Sequence, residues 1–169
     1  MHLPKSSILR VCGAAAALFL FGCGSSSTAG DPAAAFAGNW TFGSGSIQPT
    51  CAGSLGAMIT PIDLTGDTLS IVRVDPTHVS TSLTGSGVMC DVNFTVAGTK
   101  ATAVSGQTCV VTVSTVAVTV DISAWTLTVS GDMLSMAMNG TANAAGILSC
   151  TPTADGSATR ASDDAGTGG

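Results

Sequence analysis

The sequence predicts an all-β domain: an antiparallel up-and-down meander closed as a barrel of about 8–10 strands, with a β-sandwich as the alternative. Three observations predict it. Charged residues make up 9% of the 169-residue chain and Glu is absent, which disfavours helical bundles built on Glu, Lys and Leu. Gly supplies 21 positions, several of them at the centres of short turns between apolar runs. Apolar and polar residues alternate with the period of a strand, as in Val88, Cys90, Val92, Phe94 and Val96 against Met89, Asp91, Asn93 and Thr95.

The first segment differs from the rest. Residues 1–10 carry Lys5 and Arg10, residues 11–21 are almost wholly apolar, and Leu20-Phe21-Gly22-Cys23 follows. This is the pattern of a secretory leader over residues 1–22, whose apolar run is well short of the ~20 residues that span a bilayer. Leu20, Gly22 and Cys23 resemble the lipobox of bacterial lipoproteins, in which the Cys becomes the acylated first residue. That resemblance implies lipidation of Cys23 and a partner in the lipid bilayer, with acyl chains contributing ~0.8 kcal/mol per buried methylene. Gly24 in place of Asp resembles an outer-membrane sorting signal, so the expected address is the cell envelope, lipid-anchored at the outer membrane.

Residues 23–35 then read as the lipidated Cys and a flexible tether, rich in Gly and Ser, with a short helical turn over residues 33–37. Residues 36–160 form the barrel domain, and residues 161–169, with Asp163-Asp164 and several Gly, a disordered tail.

Three hairpins are expected within the domain. A Gly66-Asp67 centre sets Leu64 opposite Leu69 and Ile62 opposite Ile71. A Gly98-Thr99 centre sets Val96 against Ala101 and Phe94 against Ala103. A Gly131-Asp132 centre sets Val129 against Leu134, Leu127 against Met136 and Trp125 against Met138. Each register places apolar pairs on one face, as a half-buried hairpin requires. Along residues 108–120 the apolar phase changes, and a bulge or break near Ser114-Thr115 would restore the facing. Near the end of the chain, residues 145–151 and 156–160 read as two separate strands.

Cys12 leaves with the leader and Cys23 takes lipid, so Cys51, Cys90, Cys109 and Cys150 remain. Extending the Gly98-Thr99 hairpin places Cys90 opposite Gln107, close to Cys109, which predicts a Cys90–Cys109 bridge. Cys51–Cys150 follows by elimination and joins the first strand to the last, as barrel closure needs. Without a Cys-x-x-Cys spacing or a His beside any of these, no metal or other cofactor is expected.

Gly38-Asn39-Trp40 resembles the Gly-x-Trp opening of lipocalin and calycin barrels. In that family the Trp lies at the barrel floor under a basic side chain from the end of the chain, which implies a floor pair of Trp40 and Arg160.

Chemistry-bearing residues are sparse. His78 stands in the turn-like run Asp75-Pro76-Thr77-His78, without a converging nucleophile, and the Asp residues fall at turns or outward positions. No catalytic residue is expected. After the leader only Arg73, Lys100 and Arg160 are basic, too few to assemble a phosphate-binding patch, which excludes nucleic acid as a partner. Phe94, Trp125, Leu127, Met136 and Met138 are the candidate lining of an adaptable pocket for a small apolar ligand, with core filling as the alternative. The expected function is that of a non-catalytic envelope lipoprotein that binds such a ligand or an envelope partner; the alternative is a structural surface lipoprotein with a filled core.

Overall fold

The computed structural model describes residues 30–52, 60–85, 88–113, 116–144 and 148–161. One turn of 3-10 helix, Pro32–Ala35, opens it, started by the Asp31 carboxylate accepting from the Ala34 amide at 3.2 Å. Ten strands follow: β1 Gly38–Cys51, β2 Ile62–Asp63, β3 Thr68–Asp75, β4 His78–Gly85, β5 Val88–Ala97, β6 Lys100–Ala103, β7 Thr108–Val113, β8 Val116–Ser130, β9 Met133–Ala144 and β10 Leu148–Arg160. Every pairing is antiparallel, and β10 returns to lie along β1 from Cys51↔Cys150 to Trp40↔Arg160. The sheet is therefore a closed barrel rather than a sandwich, and closure removes the exposed edges that a meander otherwise leaves.

The ten strands make eight staves, because two staves are interrupted. β2 and β3 lie end to end along β1, and β6 and β7 lie end to end between β5 and β8. The first interruption corrects the hairpin expected at Gly66-Asp67. Leu64 does not face Leu69, nor Ile62 Ile71; Ile62 pairs with Ile47, and Leu69 with Trp40 and Leu83. The turn is real, with the Asp67 amide donating to the Leu64 carbonyl at 2.9 Å and Gly66 at φ +86°, but the chain steps forward through it instead of reversing. Its free backbone groups bond β1: Gly66 donates to Phe42 O, Phe42 to Asp67 O and Leu64 to Gly45 O. These bonds sit at the β1 bulge between Phe42 and Ser44.

The Gly98-Thr99 and Gly131-Asp132 hairpins have the expected registers, with Gly98 at φ +60° and Gly131 at φ +59°. Around residues 114–115 the phase change is a reversal of direction, since Val113 pairs with Val116; residues 114–115 lie outside the described residues. The bulge that re-faces β8 lies instead between Ile122 and Ala124. The two strands expected at the end of the chain are one, β10, held along its length by β1.

The barrel's two ends differ. At one, the tight turns at Pro76-Thr77, Gly98-Thr99 and Gly131-Asp132 meet the starting 3-10 turn and the end of β10. Backbone hydrogen bonds link them in a ring: Ala33 N to Pro76 O, Val96 N to Thr77 O, Val129 N to Thr99 O, Arg160 N to Asp132 O and Ala161 N to Asn39 O. The connections over residues 53–59, 86–87, 114–115 and 145–147 leave from the other end and lie outside the described residues.

Inward side chains follow the same polarity. Trp40, Phe36, Phe42, Phe94, Leu69 and Leu127 crowd the capped half, each essentially fully buried. Burying one such side chain contributes ~1.5–3 kcal/mol. Toward the rim the inward side chains are aliphatic and smaller: Leu83, Val88, Val111 and Val120 are buried there beside Gly140, Ala142, Cys150 and Pro152.

Candidate functional site

The capped end is built around Trp40. Its indole N–H donates to the Phe36 carbonyl at 2.8 Å, fixing the ring beneath the 3-10 turn. Arg160, its cross-strand partner, lies over the ring with the guanidinium carbon 4.3 Å from the centroid. The guanidinium also donates to the Ala37 carbonyl and, at 2.7 Å, to the Ala35 carbonyl; Asp132 lies 3.6 Å from its Nε. Gly38 has φ +127°, and a Cβ there would stand 2.9 Å from Arg160 Nη1, so only glycine lets the arginine reach these carbonyls.

Phe36 and Ala33 are buried in the core, so the domain includes the 3-10 turn that the expected boundary at residue 36 assigns to the tether. Apolar contact, with Arg73 bridging to Asp31 at 2.8 Å, docks that turn on the barrel.

The five candidate lining residues come together inside the barrel. Trp125 faces Met138, Leu127 faces Met136, and the Phe94 ring meets Trp125 edge-on with centroids 5.4 Å apart and planes at 78°. Trp125 is 1% exposed, yet its indole N–H has no hydrogen-bond partner. The neighbouring inward residues Met138 (8%) and Ile122 (7%) keep more contact with solvent than the floor does.

Both bridges join the expected partners toward the rim: Cys51–Cys150 with Cα atoms 4.0 Å apart and Cys90–Cys109 at 4.7 Å. Simple hairpin extension sets Cys90 against Gln107. The break between β6 and β7 shifts the register by two residues, so that Met89 pairs with Val110 and the cysteines meet. The Gln107 side chain holds that break, accepting from Asn93 N at 2.7 Å and donating to the Asn93 and Val104 carbonyls at 2.9 and 2.8 Å. Nothing in the sequence marks this role of Gln107, because a polar amide between two strand runs carries no signal of its own.

His78 and Asp75 make a local cluster at the β3–β4 turn. His78 Nδ1 lies 2.9 and 2.8 Å from the Asp75 carboxylate oxygens and 3.1 Å from Thr77 Oγ1. The Thr77 amide at 2.7 Å, and after it the His78 ring, lower the Asp75 carboxyl to a pKa of about 2. Acid and hydroxyl converge on the same ring nitrogen, so His78 does not relay a proton between them.

Among the described residues no cluster of His, Cys or Asp could hold a metal, and no helix is long and apolar enough to cross a membrane. The leader 1–22, Cys23 with Gly24, and residues 162–169 of the expected tail lie outside the described residues. Neither a protein-family model, nor a curated protein, nor a solved structure matches the chain.

Proposed function

We propose that this chain is a non-catalytic, lipid-anchored protein of the bacterial envelope. Its lipocalin-like barrel takes up a small, mainly apolar ligand bearing one hydrogen-bond acceptor. The observation that carries the reading is Trp125: an indole N–H buried in an apolar interior without a partner. Leaving such a donor unsatisfied costs ~1–3 kcal/mol, which a ligand carbonyl or hydroxyl offsets on binding. Met136, Met138 and Ile122 beside it are polarisable or compact and suit an alkyl body. The aromatic-packed floor supports a ligand entering from the rim, where the inward side chains are aliphatic.

The reading of a filled core without a ligand draws support from the fully buried Trp40, Phe36, Phe42 and Phe94. Calorimetric titration of the purified protein with dodecanol and with dodecane separates the two. A ligand barrel binds dodecanol more tightly than dodecane, and Trp125→Phe erases that preference while dodecane still binds. A filled core binds neither, with or without Trp125→Phe.

A further inference from the structure

We infer that the capped end of the barrel is a membrane-facing surface that rests on the anionic bilayer holding the anchor, while the rim points away. The inference rests on the reading of Cys23 as the acylated residue. The chain enters the described structure at Gly30, against the capped end. The residues from Cys23 to Gly30, fully extended, reach at most ~25 Å. A tilted strand as long as the 13-residue β10 sets the rim ~30 Å beyond the cap. The tether is therefore too short to run the height of the barrel and let the rim face the lipid.

Charge separates end-on from side-on contact. Among the described residues, Arg73, Lys100 and Arg160 all belong to the capped end, where they balance Asp31, Asp75 and Asp132. Of the other described charges, Asp63, Asp91, Asp121 and Asp155 are acidic and lie on the flanks and toward the rim, while Asp67 has a buried carboxylate oxygen. An anionic bilayer repels those flanks and not the neutral cap. The cap also offers apolar contact. Val72 and Val74 are 61% and 59% exposed beside the 3-10 turn, and Met133 is 55% exposed beside the Gly131-Asp132 turn. Met89 and Val110 are exposed too, but near the rim, beyond the reach of a bilayer that holds the cap.

The test is hydrogen exchange on the full acylated protein in vesicles of phosphatidylethanolamine and phosphatidylglycerol, compared with the unacylated Cys23→Ser chain in solution. Flotation with the vesicles checks the anchor separately. The expected result is flotation together with several-fold slower exchange at residues 73–78, 97–100 and 130–133, and unchanged exchange at residues 45–50 and 88–91. Val74→Asp with Met133→Asp, both at exposed positions, then removes the slowing without abolishing flotation. Flotation with protection at the rim, on the acidic flanks or nowhere overturns the inference and leaves the anchor standing. Failure to float removes both.

Discussion

Arg160 stacks on Trp40 as its direct cross-strand partner, so one contact joins the first strand to the last and ties both to the 3-10 turn that plugs the barrel. Removing the guanidinium loses the cation–π contact and leaves the Ala35 and Ala37 carbonyls to find water. Arg160→Ala is expected to lower unfolding free energy by ~2–3 kcal/mol, and Arg160→Lys by less, because an ammonium keeps the charge but not the fork. Urea unfolding of the three proteins checks the order.

Gly38 is the position on which that contact depends. Gly38→Ala places a side chain in a left-handed backbone region and against Arg160, and is expected to cost ~1–3 kcal/mol. Combined with Arg160→Ala, the steric part disappears. The double-mutant cycle therefore comes out less than additive, and full additivity would separate the two residues energetically.

The two bridges close loops of very different length, with sequence separations of 99 and 19. On chain entropy alone, Cys51→Ser with Cys150→Ser costs ~4.7 kcal/mol and Cys90→Ser with Cys109→Ser ~3 kcal/mol. Denaturant midpoints of the two double variants test whether the barrel-closing bridge is the larger contributor.

Asp75 gives a pH signature confined to one turn. Its carboxyl titrates near 2 in the folded protein rather than at 3.8, so the charged form is favoured by folding. That contribution is fully present above pH 3.8 and is lost as pH falls through about 2. The Thr77 amide resonance reports it: its acid titration has a midpoint near 2, and Asp75→Asn abolishes the transition.

Hairpin registers at Gly98-Thr99 and Gly131-Asp132 were legible in the sequence because turn residues and apolar pairs lie within a few positions of each other. Leu64-Thr-Gly-Asp-Thr-Leu carries the same local signal, yet its chain runs straight on. Phe42 and Gly45 bond the turn from β1, β2 and β3 both pair with that strand, and periodicity does not encode such a long-range choice. The inward residues Trp125, Leu127, Met136 and Met138 were legible for the same reason as their hairpin. The missing partner of the Trp125 N–H was not, because satisfaction of a buried donor depends on the whole enclosure.

Ligand binding is tested by native mass spectrometry of the folded domain purified from the cells that produce it. The expected spectrum shows a parent species carrying a bound small molecule with a long apolar part and an oxygen acceptor, and a Trp125→Phe species that carries much less of it. Both proteins flying as bare polypeptide with two intact disulfides would contradict ligand binding and leave a filled, structural barrel.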